Sequence, residues 1–518
     1  MSTRETESWV MHRTGGSSRC SFAGSRRPCG LPVSLSASAL LSLAVGHLSA
    51  RSSGAFSLRL PCTAALRGGC GLAEGHRRGV SHNSADARVR IQMQGPAAGG
   101  SVDAGRIKVV VISGPTAVGK SALAESIASS LPGGAELISA DSVQVYRGMD
   151  IGSAKPTPEE QAAVAYHLLD IAEPTDEYNA ADFATDAHDA AKQIAARGAL
   201  PIVVGGTGFY LQWLVFGRPG APPATAEASA RAEATIESYA GDWAAAKGAA
   251  QEMDPVYCET VLKDNDWFRL RRVFEVHYTC GQPLSSFERP QGKGLSLQQV
   301  VGALKSAPFD FRCVFLHRSR LDIFRDIDRR CELMLAQGLI QESAALVRAG
   351  RLRLGPSEGL GAEDERVAER AIGYRQVLDL LWKWKETLRS APDTMTPVWK
   401  DTTVEAFIRE FQSASRQFVK RQLSWFRSDP IFKWIHAEDR EAAKQLVLTL
   451  VDMDEEAFHQ LYTDPDDAQQ QQEARASESS KTEQNALKRY QTQLSTYSTP
   501  DRRALLAEVI TQAVLSFD

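Results

Sequence analysis

The chain has 518 residues, an apolar fraction of 43% and a formal charge of −4. Its length predicts two or three folded units, and no apolar run reaches the ~18–20 residues of an uninterrupted membrane span. The weak net charge excludes nucleic-acid binding through bulk charge and leaves that role to local basic patches.

The charge is unevenly spread. Residues 1–106 carry 13 Arg, no Lys and 5 acids, whereas 437–518 carry 8 bases and 16 acids. The first segment, rich in Arg, Ser, Gly and Ala, reads as a disordered targeting leader. Within it an apolar stretch from Leu31 to Ala50 precedes Ala55-Phe56. That order suits a bipartite leader and favours a plastid, with a mitochondrion as the alternative. Four cysteines lie in this leader, and Cys258, Cys280, Cys313 and Cys331 show no C-x-x-C pairing. This argues against a disulfide framework or a zinc module.

Residues 107–220 read as the first part of an α/β core. Val109–Ile112 is a β-branched run suited to a buried parallel strand. It leads into Gly114-Pro115-Thr116-Ala117-Val118-Gly119-Lys120-Ser121, and a helical pattern follows from Ala122. Strand, loop and helix in that order are the setting of a phosphate-binding P-loop. The glycines let backbone N–H groups face phosphate oxygens, and the helix start adds positive potential. Lys120 reaches an outer phosphate, and the Ser121 hydroxyl suits a Mg²⁺.

A second strand, Glu136–Ala140, ends at Asp141. Ligands collect at the carboxyl ends of such strands, so Asp141 is expected to face the phosphate site; its alternative is a helix cap. Lys155 follows in a polar loop, with simple solvation as its other reading. His167–Asp170 reads as a further strand, and Asp186–Arg197 as a helix closed by Gly198. Pro201–Val204 is another strand. Gly205-Gly206-Thr207-Gly208 after it suggests a second approach of backbone to ligand.

Taken together these residues resemble the tRNA dimethylallyltransferases. The resemblance rests on the P-loop octapeptide, Ser139-Ala140-Asp141-Ser142-x-Gln144-x-Tyr146, Met149–Pro156, His167–Asp170 and Gly205-Gly206-Thr207-x-x-Tyr210. It implies a P-loop NTPase-like parallel sheet with a helical insertion domain, acting as a monomer away from membranes. It further implies transfer of a dimethylallyl group from dimethylallyl diphosphate to N6 of adenosine 37 in the anticodon loop of tRNA. The P-loop then holds the allylic diphosphate in place of ATP. Asp141 takes the amine proton, while Thr207 and Arg320 steady the reacting groups. Asp141, Ser142, Gln144 and Tyr146 meet the tRNA. Rival readings are an adenylate isopentenyltransferase, an ATP-dependent small-molecule kinase and a non-enzymatic RNA-binding P-loop protein.

Residues 221–308 read as the helical insertion. Arg269 and Arg272 share a helix face there. Composition alone allows a solvated basic face; the resemblance implies a contact to the anticodon loop. Trp267 and Phe268 stand where the family has other residues, and either stack a base or pack.

Residues 309–436 return to the core. A strand, Cys313–Leu316, precedes Arg318, Arg320, Arg325, Arg329 and Arg330. Arg320 and Arg330 match family arginines; a third family arginine is Asp326 here, with Arg325 as the candidate replacement. Arg416, Lys420, Arg421 and Arg427 alternate with Trp425 and Phe426, a pattern suited to RNA. Residues 378–401, with Trp382, Trp384 and Trp399, read as an added element. The resemblance covers about 108–436. The acidic extension 437–518 reads as partly disordered over Asp464–Ser480, with one amphipathic helix over Arg502–Phe517.

Overall fold

The computed structural model describes residues 106–517, apart from 219, 288–294, 356–365, 392–398 and 478–479. The expected leader therefore lies outside the described residues, save Arg106. Six strands form one parallel sheet: β1 Lys108–Ser113, β2 Ala135–Ser139, β3 Tyr166–His167, β4 Leu200–Val204, β5 Asp310–His317 and β6 Lys433–His436. Their order is β3-β2-β4-β1-β5-β6. β1 is central, with Ile112 in register with Val204 on one side and Val314 on the other. Val109, Val110, Val111 and Ile112 are buried on both faces, each worth about 1.5–3 kcal/mol against exposure.

Helices close both faces of the sheet, as parallel strands require. The helix Ala180–Ala196 shows the local logic. Asn179 caps it by accepting from the N–H groups of Ala181 and Asp182, while the Asp182 carboxylate accepts from the Asn179 N–H. Phe183, Ala187, Ala190, Ala191 and Ile194 supply its buried face. It ends at Arg197, and Gly198 takes the left-handed conformation at φ 79°. The sequence placed this helix start six residues late, because the capping box lies upstream of the apolar repeat.

The strand expected over His167–Asp170 is only Tyr166–His167. Leu168 and Asp170 have φ of 62° and 53°, which no strand accommodates. The insertion has its own core, in which Ala232, Ala246, Ala250, Leu270, Val273 and Phe274 are buried together. It ends earlier than residue 308. The helix Leu297–Ser306 instead buries Val300 and Leu304 in the main core.

The C-terminal extension corrects the expectation of partial disorder. Its Gln- and Asp-rich stretch is a helix, Pro465–Ser477. That helix packs beside β6: Lys433 pairs with Asp467, Gln471 Oε1 accepts from the Trp434 N–H at 2.6 Å, and Arg475 donates to the Phe432 carbonyl at 3.0 Å. Composition signalled solvation, but β6 supplied polar partners that a tail in water would not have. The last helix, Pro500–Leu515, buries Leu506, Ala507, Ile510 and Val514. Trp384 and Trp399 stack at 3.8 Å, and both ring N–H groups donate to the Thr511 hydroxyl. Trp384 and Trp399 of the added element thus pack against the extension.

Candidate active site

The carboxyl ends of β1, β2, β4 and β5 converge, and each delivers one part of the site. After β1, the loop Gly114–Gly119 turns tightly. Gly114 has φ 153°, and a Cβ there would meet the Leu316 carbonyl oxygen at 2.7 Å. Gly119 has φ 102° and begins the helix Lys120–Ser130 without a side-chain cap. The N–H groups of Ala117, Gly119, Lys120 and Ser121 find no acceptor among the described residues. Those donors and the helix start form an anion cradle.

Lys120 lies in this cradle, its Nζ donating to the carbonyls of Gly114 at 3.0 Å and Pro115 at 2.9 Å. Desolvation, reinforced by the nearby Arg330 charge, lowers its pKa to about 8, against the upward pull of Asp141. Arg330 donates to the Thr116 hydroxyl at 3.2 Å. Burial likewise pulls the Arg330 pKa down, and Asp141 opposes this. The Asp141 carboxylate thus lies close enough for its charge to act on both desolvated cations.

After β2, Asp141 caps a turn and not the start of a helix. Its Oδ1 accepts from the N–H groups of Val143 at 2.9 Å and Gln144 at 3.4 Å, as a cap does. Its Oδ2 has no hydrogen-bond partner among the described residues. After β4, the Thr207 hydroxyl accepts from the Ser142 N–H at 3.2 Å, which ties it to the Asp141 loop.

The glycines beside Thr207 serve packing. A Cβ at Gly205 would meet the Ala140 carbonyl oxygen at 2.1 Å, one at Gly206 the Gln422 amide at 2.4 Å, and one at Gly208 the Trp425 ring at 2.3 Å. Gln422 fills the space they leave. Its amide donates to the Gly206 carbonyl at 3.1 Å and its oxygen accepts from the Thr116 N–H at 3.0 Å. It locks the P-loop to the β4 loop.

After β5, Arg318 donates to the Ala117 carbonyl at 3.1 Å and also pairs with Asp326. Arg318 and Arg329, not Arg325, are thus the cations beside Asp326. Arg325 pairs with Asp322 on the surface, at 63% side-chain exposure. Arg320 starts the helix Arg320–Gln337 and pairs with Glu483 of the extension.

Comparison with known proteins bears directly on this arrangement. The family model described as IPP transferase matches residues 144–429, and that described as isopentenyl transferase matches 107–176. The chain is 37% identical over 356 residues to tRNA dimethylallyltransferase 9 of Arabidopsis thaliana, covering 64% of this chain and 71% of that protein. The chain belongs to the tRNA dimethylallyltransferase family. It is also 36% identical over 343 residues to the tRNA dimethylallyltransferase of Protochlamydia amoebophila, covering 66% of this chain and 88% of that one. A solved eukaryotic dimethylallyltransferase described as acting on tRNA aligns with a TM-score of 0.51 at 23% identity, over 69% of this chain and 84% of that one. At that identity the likeness speaks for the fold.

Within this dimethylallyltransferase the residues expected at the tRNA separate into two groups. Lys420 and Arg421 are exposed on the helix Asp401–Arg427. Trp425 on the same helix meets Phe209, itself 51% exposed, edge to face at 4.5 Å. Ser142 is partly exposed beside Asp141.

Others are occupied by the protein itself. Tyr146 is fully buried and offers no surface to RNA, which corrects its assignment. Gln144 is clamped between the Ser139 hydroxyl at 2.8 Å and the carbonyls of Ser153 and Ala154. Arg416 pairs with buried Asp328. Arg272 donates to the Pro222 carbonyl at 2.5 Å and to Glu275 at 3.3 Å, and Arg269 pairs with Asp266. Trp267 packs edge to face on Trp243, whereas Phe268 is 75% exposed. Lys155 is a buried staple, its Nζ bonded to the Tyr146 carbonyl, Asp150 and Asp170.

Proposed function

We propose that the protein transfers the dimethylallyl group of dimethylallyl diphosphate to N6 of adenosine 37 in tRNA. The observation that carries the reading is a loop of unpartnered amides that holds Lys120 and Arg330, with the Asp141 turn at the neighbouring strand end close enough for its charge to act on both. The cations and amides suit a diphosphate; a carboxylate close to them suits the atom that attacks beside it.

An exocyclic adenine amine is a weak nucleophile, because its lone pair is delocalised into the ring. Its proton must be accepted as the new C–N bond forms. The Oδ1 of Asp141 is held by two backbone N–H groups, which fixes the carboxylate and leaves Oδ2 for the amine. Thr207 steadies that loop through the Ser142 N–H. Lys120, Arg330 and Arg320 balance charge as the allylic C–O bond breaks and diphosphate leaves. The adenine has to leave the anticodon stack to reach this carboxylate. Lys420 and Arg421 offer contacts to tRNA phosphates, and Trp425 with Phe209 an apolar face for an unstacked base. An adenylate or a small-molecule kinase substrate would have no use for that exposed helix face.

Magnesium fits the Ser121 hydroxyl, which is exposed and has no partner among the described residues. No cluster of three His, Cys, Asp or Glu suited to a metal occurs among those residues. The ion would be held by Ser121, diphosphate oxygens and water, and would supply charge neutralisation.

Asp141→Asn tests the proton step. Single-turnover rates with both substrates saturating are expected to fall about 10²–10⁴-fold, the worth of a positioned base, with both substrates still bound. An unchanged rate with a raised donor KM would make Asp141 a metal or packing residue.

The Arg-rich leader directs the protein to an organelle, with a plastid favoured. Residues 1–106 fused to a fluorescent protein are expected to label that organelle; a diffuse cytosolic signal refutes the assignment.

A further inference from the structure

The helix Arg320–Gln337 carries a stripe of four residues at spacing four: Arg320, Phe324, Asp328 and Glu332. Every member of the stripe is met by one segment of the C-terminal extension. The Glu483 carboxylate accepts from the Arg320 backbone N–H at 2.9 Å and pairs with its guanidinium at 3.3 Å. Tyr490 packs edge to face on Phe324 at 5.7 Å and donates its hydroxyl to Asp328 at 2.6 Å. Glu332 is fully buried and accepts from the Ser495 N–H, the Ser495 hydroxyl and the Tyr497 N–H. A buried carboxylate without such donors is costly, so the extension completes this helix.

The same helix serves the donor site. It follows β5 directly, Arg318 before it holds the P-loop at Ala117, and Arg330 within it reaches Thr116. Its cap residue, Ser319, makes no side-chain capping bond. Glu483 supplies the missing acceptor from outside and at the same time engages the arginine that starts the helix. A guanidinium on a flexible stem loses rotamer freedom when it must meet an anion, and a fixed carboxylate partner removes that freedom in advance. The Arg320 and Glu483 side chains are only 13% and 16% exposed, so the pair is shielded from solvent.

We propose that Glu483 is a positioning residue of the donor site: it holds Arg320, the arginine assigned to the departing diphosphate, and thereby makes residues 483–497 part of the catalytic unit. This rests on the assignment of Arg320 to the diphosphate made above. An arginine fixed before the diphosphate departs meets the charge that develops as the C–O bond breaks, so loss of its support shows in kcat more than in donor KM.

The test uses the full chain and four proteins: wild type, Glu483→Gln, Arg320→Ala and the double variant, with kcat and donor KM measured separately. Glu483→Gln keeps the shape of the side chain. It is expected to lower kcat about tenfold, the scale of one charge-assisted contact, with little change in donor KM, and to add nothing in the Arg320→Ala background. A Glu483→Gln enzyme with wild-type kcat overturns the proposal, including the case where donor KM falls because the carboxylate merely competes with diphosphate. Losses that multiply with those of Arg320→Ala overturn it as well, since a general structural defect would behave that way. Wild-type kinetics for Arg320→Ala would remove the diphosphate role of Arg320 and the proposal with it, whereas an impaired Arg320→Ala beside a normal Glu483→Gln removes the proposal alone.

Discussion

At the residue scale, Lys120 makes a pH-dependent site. Desolvation and the Arg330 charge bring its pKa to about 8. A bound diphosphate favours the ammonium form. Below that pH the lysine is already charged, and above it a proton must be taken up on binding. Donor KM is therefore expected to stay flat up to about pH 8 and then to rise toward tenfold per pH unit. A KM flat to about pH 9.5 would contradict this. The stability sign follows from the same shift. The native state disfavours the charged form, so the penalty is present below about pH 8. It is relieved as pH climbs toward the ordinary lysine value, where the unfolded chain also loses its proton. Lys120 and Asp141 were legible in the sequence because each belongs to a short motif fixed to a strand end. Gln422 was not assigned to the site, because its partners Thr116 and Gly206 lie more than two hundred residues away. Arg329 and Arg330 are adjacent in sequence but point differently on their helix. The first is 67% exposed, while the second donates to the Thr116 hydroxyl.

At the element scale, the helix Asp401–Arg427 divides a basic motif between two jobs. Arg416 pairs with Asp328 and is spent on holding two helices together, with Gln412 donating to the Asp328 carbonyl at 3.1 Å. Lys420 and Arg421 lie one turn further on and are exposed. Replacing both with Ala is expected to raise tRNA KM and reduce the steepness of its dependence on log salt, since each lost phosphate contact removes roughly one unit of slope. The donor KM stays as in wild type. An unchanged salt slope would show that these residues do not meet RNA. Residue types alone marked this stretch as basic and aromatic. It did not separate Arg416 from Lys420, because the burial of Asp328 depends on the neighbouring helix and on Tyr490 of the extension.

At the scale of the whole molecule, β1, β2, β4 and β5 were legible as apolar runs ended by turn residues, whereas the strand order and β6 were not. The extension was the part least legible. Its acids and glutamines carry no apolar repeat, and what orders them is a set of buried polar groups elsewhere in the chain: Lys433, Asp328 and Glu332. The insertion, the exposed face near Lys420 and the P-loop serve one reaction only if a tRNA and an allylic diphosphate are the substrates. The most direct measurement offers labelled dimethylallyl diphosphate to the purified full chain with unmodified tRNA, AMP or ATP in parallel, followed by nucleoside analysis of the products. The account predicts label in tRNA alone, recovered as N6-(dimethylallyl)adenosine from position 37. Label on AMP or ATP with none in tRNA would contradict it.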